Sequence, residues 1–154
     1  ILMPLILAAE GMPPLYLSGT LMRNRTGYYA ALKDVQLQGN WTRWYDMVCR
    51  AVIEAAQETL TLADDLRSIV AGWRDLTKSR RSDSVARRLP ELMLEYPVVT
   101  VSSVAGLLDV SIPAASKGIT QLLELDILQS KDERKWGRSF HAEAVLTRLN
   151  QAPG

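Results

Sequence analysis

The chain has 154 residues, 47% hydrophobic and 23% charged, which suits one ordinary folded domain or two small ones and excludes a disordered polar chain. Eighteen Lys and Arg stand against seventeen Asp and Glu, so a net charge of +1 provides no global attraction to nucleic acid. The single cysteine, Cys49, excludes an internal disulfide and suits a reducing compartment, so a cytoplasmic location is expected.

Ile1 to Glu10 is apolar almost all round, which predicts a buried helix ended by Gly11 and Pro13-Pro14. The same run is similar to the apolar part of a secretion signal. It has no basic segment ahead of it and is too short to span a bilayer, so no membrane partner is expected. The sequence does not open with Met and reads as the continuation of something longer. On that reading the first helix has lost the surface it packed on, and self-association through this N-terminal face is expected. Leu15 to Leu37 carries Leu17, Leu21, Tyr28, Leu32 and Val35 at near-helical spacing, with a weak point at Gly27. Gly39 breaks the pattern, and Asn40 suits the cap of the next helix.

From Trp41 to about Lys78 apolar residues recur every three or four positions, with one gap at Gln57-Glu58-Thr59. The pattern predicts one long helix or two stacked ones. Trp41, Trp44, Tyr45, Tyr28 and Tyr29 are expected in the core rather than as a base-stacking surface, and Cys49 as a small buried hydrophobe. Asn24-Arg25-Thr26 and Asn40-Trp41-Thr42 match the glycosylation pattern, which has no meaning without secretion. Lys78 to Asp83 is polar and basic and marks the boundary between a domain at 1–80 and another at 81–154. Ser84 to Tyr96 then reads as a helix with Val85, Leu89, Leu92 and Met93 inward, Pro90 inside it and Pro97 closing it.

Beyond Val99, two short apolar-periodic runs flank a tight turn at Asp109-Val110-Ser111. Asp109 tolerates the left-handed conformation of such a turn, Ser111 suits a helix cap, and Pro113 fits a first turn. Ala115, Ile119, Leu122 and Leu123 face the core. Ile127-Leu128 reads as a strand, Lys131 to Gly137 as a hairpin tip, Ser139 to His141 as the return strand and Ala142 to Asn150 as a closing helix. Helix, turn, helix and hairpin make the layout of a winged helix, a module that usually reads nucleic acid.

Its second helix offers Ser111, Ser116, Lys117, Thr120 and Gln121 on the polar side. These can donate to phosphates, and Gln121 can read adenine, but no Arg is present for guanine. The wing adds Arg134, Lys135 and Arg138 beside Trp136, which can enter a minor groove or stack on a base. The alternative packs Trp136 on the hairpin and leaves the charges in water. Upstream, Arg67, Arg74, Lys78, Arg80, Arg81, Arg87 and Arg88 face only Asp75 and Asp83, either as phosphate contacts or as a solvated helix end. Arg87 and Arg88 are the pair expected to flank the reading face. From Ser84 onward eight basic residues balance eight acidic ones, which suits the docking of a target protein or a second copy as well as DNA. His141 reads as a packed strand residue, and no metal ligand set is visible.

Pro14-Leu15-Tyr16-Leu17-Ser18, then Asn24-Arg25 through Tyr28-Tyr29 to Leu32, then Gly39-Asn40-Trp41-Thr42-Arg43-Trp44 follow an apolar first helix in fixed order. That order resembles the segment that follows the catalytic motif in the Fic family, many of whose members end in a winged helix. The resemblance implies a mainly α chain, with the closing helices of a Fic-like fold followed by a winged helix-turn-helix with a small β-hairpin wing. Family members transfer AMP from ATP, with Mg²⁺, to a protein hydroxyl. The motif responsible, His-Pro-Phe-x-Asp/Glu-Gly-Asn-Gly-Arg-x-x-Arg, is absent: the one histidine, His141, is followed by Ala142-Glu143-Ala144. The chain alone is therefore expected to be inactive and to hold no cofactor, with ATP and Mg²⁺ belonging to a parent protein. The competing expectation is a DNA-binding transcriptional regulator that acts through the winged helix.

Overall fold

A computed structural model describes residues 2–11, 15, 17–130 and 137–151. Among them the chain is mainly α, with eight helices and one two-stranded antiparallel sheet. It divides into two compact units, 1–63 (with 152–154) and 64–151.

The first unit holds α1 (Leu2–Ala9), α2 (Leu17–Arg23), α3 (Arg25–Gln38) and the start of α4 (Thr42–Thr77). The expected helix over 15–37 breaks at Asn24, not at Gly27. Gly27 lies in the first turn of α3, and the Asn24 carboxamide occupies the space that a Cβ there would fill. α3 ends at Gly39, whose φ of 64° lets its amide and that of Asn40 return to the Val35 and Asp34 carbonyls at 3.0 and 3.2 Å. Asn40 Oδ1 then accepts from the Thr42 amide at 3.1 Å and helps to start α4. Leu17, Ala31, Met47, Ala51 and Ala55 are buried in this unit. Arg23 reaches Glu54 and Glu58 at 2.9 and 2.6 Å, and Arg43 reaches Asp34 at 3.1 Å, which ties α2 and α3 to α4.

Two expectations fail here. Tyr29, Trp41 and Tyr45 are exposed rather than packed in the core, with Tyr28 and Trp44 half-buried and their rings 5.6 Å apart. Cys49 is exposed as well. The reason is helical phase: Met47, Ala51 and Ala55 face the core, and Tyr45 and Cys49 lie on another side of the same helix. α4 itself is a single helix, unbroken at Gln57-Glu58-Thr59.

The second unit holds the end of α4, α5 (Val85–Leu92), β1 (Val98–Thr100), α6 (Val101–Leu108), α7 (Ile112–Glu124), β2 (Ser139–His141) and α8 (Glu143–Gln151). Strand β1 was not expected. It pairs antiparallel with β2 in the register Val98↔His141, Val99↔Phe140 and Thr100↔Ser139. On the other side of His141, Gln129 makes a two-bond bridge at 2.9 Å, so the expected Ile127-Leu128 strand is reduced to that bridge among the described residues. Thr100 caps α6 reciprocally: its Oγ1 accepts from the Ser103 amide at 3.1 Å, and Ser103 Oγ accepts from the Thr100 amide at 2.8 Å. Asp109 ends α6 at φ 50°, in the left-handed region, as expected.

Ser111 Oγ accepts from the Ala114 amide at 3.4 Å at the start of α7, and Pro113 occupies its first turn. Val70 and Trp73 of α4 join Leu89, Met93, Val104, Ile119, Leu122, Phe140 and Val145 in one core. Removing each large side chain of that set from water stabilises by about 1.5–3 kcal/mol. Gly118 makes the α5–α7 crossing possible, because a Cβ there would collide with Val85. Arg148 holds α8 to Asp65 of α4 at 2.7 Å.

Candidate nucleic-acid interface

Burial decides which side of α7 is free. Ala115, Gly118, Ile119 and Leu122 point into the core. With 3.6 residues per turn, Ser116, Lys117 and Thr120 then face solvent and Gln121 sits half-buried at the edge. Not every polar group there is available. Ser111 caps the helix, and the Thr120 hydroxyl donates to the Ser116 carbonyl at 3.1 Å. Lys117 has no ion pair among the described residues.

Lys117 and Gln121 share a depression of about 470 Å³ with Ser79, Arg80, Arg81, Asp83 and Ser84, with Val110 and Ala114 as its apolar lining. Its second wall is thus the polar segment between α4 and α5. Arg80 has no ion pair among the described residues. Arg81 forks onto Asp83 with bonds of 3.2 and 2.9 Å. Both partners are well exposed, and such a pair is worth about 0–1 kcal/mol, so Arg81 can exchange Asp83 for a phosphate at little cost.

The other expected residues lie elsewhere. Arg87 Nη1 donates to the Lys78 carbonyl at 2.6 Å and more weakly to that of Thr77 at 3.5 Å, closing the C-terminal end of α4. Arg87 and Arg88 line a different depression, with Arg74, Glu91, Leu107 and Leu108. Arg74 pairs with Glu91 at 2.9 Å, Arg67 with Asp64 at 3.1 Å and Lys78 with Asp75 at 3.9 Å, which neutralises much of the upstream basic run. Arg138 donates from Nε to Ser130 Oγ at 2.8 Å, and its guanidinium stands 5.5 Å over the Phe140 ring, at the base of the hairpin. Arg134 and Lys135 lie outside the described residues.

Arg87 and Arg88, expected to flank the reading face, thus line a different depression from Lys117 and Gln121. Arg80 and Arg81 are the cations that the structure brings to Lys117 and Gln121, and their signal was the polar run directly ahead of α5. That run read as a boundary and, within the wider basic stretch, as phosphate contacts or a solvated helix end, with no place assigned beside α7.

The one histidine of the chain lies in the small sheet. His141 is buried in β2, with Nε2 3.1 Å from Glu143 Oε2 but without hydrogen-bond alignment to it. Among the described residues no three His, Cys, Asp or Glu gather as a metal site, and no helix is long and apolar enough to cross a membrane. The geometry stands on its own, since no protein-family model and no curated protein matches the chain.

Proposed function

We propose that residues 81–154 are a winged helix-turn-helix that grips the backbone of duplex DNA with the exposed side of α7, acting in the cytoplasm. The order α5–β1–α6–α7–hairpin–β2, with the middle position of the small sheet held by β2, supports the winged-helix reading. One observation carries the DNA reading. Lys117 and Gln121 open onto the same depression as Arg80 and Arg81, and neither Lys117 nor Arg80 has an ion pair among the described residues. Phosphates take the cations, and the Gln121 amide is the group able to read an adenine edge.

The remainder, residues 1–80, is proposed as the closing helices of a Fic-like domain. The sequence lacks the motif for AMP transfer, so this chain binds and does not catalyse.

The test is a titration of the whole chain with short duplexes at low salt. With about four phosphates neutralised, affinity falls roughly 10²-fold between 50 and 200 mM salt. Lys117→Ala and Arg80→Ala weaken binding on all sequences, Gln121→Ala relaxes sequence preference, and Arg87→Ala lowers stability without changing the salt slope. No binding at micromolar protein removes the proposal. A second reading, protein docking, is favoured by two features of the same face: Ile112, next to Pro113 and Ala114, is half exposed, and Asp83 already offsets Arg81. Incubation with labelled ATP and Mg²⁺ checks the inactive assignment, since label transferred above a boiled control contradicts it.

A further inference from the structure

The second unit holds another depression, of about 530 Å³, where α5 meets α6 and the end of α4. That volume falls within the range of about 300–1,000 Å³ usual for small-molecule sites. It shares no lining residue with the depression beside α7. Three arginines on its wall, Arg74, Arg87 and Arg88, stand against one acid, Glu91, which leaves a charge of +2. The rest of the wall is largely leucine. Leu108 is buried at its base, Leu92 is half-buried and Leu107 is 38% exposed.

The three guanidinium groups are not equivalent. Arg74 is taken by Glu91, through bonds of 3.0 and 2.9 Å. Arg87 is anchored through Nη1 alone, on the Lys78 and Thr77 carbonyls at 2.6 and 3.5 Å. Its Nε and Nη2 protons have no partner among the described residues. Arg88 is exposed and has neither a hydrogen bond nor an ion pair among the described residues. An anchored guanidinium next to a free one forms a partly pre-set receptor, because only one long side chain must be immobilised on binding.

We propose that this depression binds a small carboxylate with an apolar body. The head group sits on Arg88 and Arg87, and the body covers Leu92 and Leu107. A guanidinium fork matches the two oxygens of a carboxylate, and the surplus of positive charge attracts an anion. The leucines select against a bare anion, since acetate or phosphate leaves them in water. A neutral apolar molecule covers the leucines but leaves both guanidinium groups without an anion. The inference does not rest on DNA binding, because none of its residues lines the depression beside α7.

The probe is 4-phenylbutanoate, titrated at neutral pH into the whole chain and followed by its backbone amide resonances. Shifts are expected at Arg88, Leu92 and Leu107, with a Kd on the order of 1 mM, typical of a ligand this small in an open site. Acetate keeps only the head and 4-phenylbutanol only the body, and each is expected to bind at least about tenfold more weakly. Arg88→Ala removes a side chain with no partner, so circular dichroism stays unchanged while the Kd rises about tenfold. Leu107→Ser raises the Kd about threefold through lost apolar contact. Glu91→Gln removes the competing acid and releases Arg74, and it lowers the Kd about threefold, whereas a mere loosening of the α4–α5 contact raises it. No shifts at about 10 mM ligand, or shifts confined to other residues, overturn the proposal. Equal affinity for 4-phenylbutanol, or an unchanged Kd in Arg88→Ala, overturns it as well, because the arginines then contribute nothing to recognition.

Discussion

In residues 64–151 the apolar side chains of α4 to α8 and both strands meet in one core, and Leu89, Met93 and Leu122 within it have no solvent exposure. In residues 1–63 the described residues bury Leu17 and Met47 with three alanines, while Tyr29, Leu37, Tyr45, Ile53 and Leu60 stay in water. The first unit is joined across its helices by Arg23 and Arg43 ion pairs whose arginines are 41% and 59% exposed, a kind of contact worth about 0–1 kcal/mol each. A unit with a thin core and weak polar ties gains most from a partner. A unit with a full core can spend its surface on binding. The difference leaves the fully buried large side chains in the second unit and many of the large exposed ones in the first.

The sharpest way to break that comparison is to put the same charge on both sides of it. Ile119→Asp buries an unpaired carboxylate at a site 2% exposed and is expected to cost more than about 5 kcal/mol, enough to unfold residues 64–151. Ile53→Asp stands in solvent and should change monomer stability by no more than about 0.5 kcal/mol. Melting curves in which the two variants behave alike would show that the assigned phase of α7 is wrong.

A truncation sharpens it further. Trp73 is 6% exposed and belongs to the core of the second unit although it stands on the helix that starts in the first. Trp73→Ala is expected to cost about 3–5 kcal/mol, and Leu17→Ala, in the thinner core, about 2. Denaturant titration checks both, and a Trp73→Ala loss below about 1 kcal/mol would detach that end of α4 from the second core.

Two glycines repeat the contrast on a smaller scale. Gly118 faces Val85 at the crossing of α5 and α7, where backbone and a β-branched side chain cannot give way. Gly118→Ala therefore costs about 1–3 kcal/mol by overpacking. Gly27 meets only the far end of the Asn24 side chain, which can swing aside. Gly27→Ala should be neutral or stabilise by up to about 1 kcal/mol, because alanine loses less backbone entropy in a helix.

The sequence spoke clearly where structure is local. The spacing of Ala115, Ile119 and Leu122 placed the buried side of α7, and Ser111, Pro113 and Asp109 marked the turn before it. Strand β1 was silent because three residues between Pro97 and a helix have no period of their own, and their pairing partners lie some forty positions away. Cys49 and the exposed aromatics were misread for another reason. Apolar residues every three or four positions fill more than one side of α4, and periodicity cannot say which side a neighbour covers. The site was half legible. Lys117 and Gln121 followed from the phase of α7, but whether Arg80 or Arg88 stands beside them depends on how α5 packs, which is a tertiary matter.

The smallest expected effects lie in the helix ends, where the two units again differ. α3 stops at Gly39 with φ 64°, while α6 stops at Asp109 with φ 50°. Both positions need the left-handed backbone, which glycine adopts without steric cost and a residue with a Cβ adopts at roughly 1 kcal/mol. Asp109 also sets a carboxylate at the negative end of α6, against the helix dipole. Asp109→Gly should accordingly stabilise by about 0.5–1 kcal/mol, less the entropy that glycine returns to the unfolded chain. Gly39→Ala, with nothing within reach of its Cβ, isolates the strain alone and should lose about 1 kcal/mol. For a chain of this length each change moves the melting temperature by roughly 2–4 °C per kcal/mol, in opposite directions. If Asp109→Gly instead destabilises, the Asp109 side chain holds the turn between α6 and α7 in a way that backbone strain alone does not capture, and α7 is positioned by that aspartate.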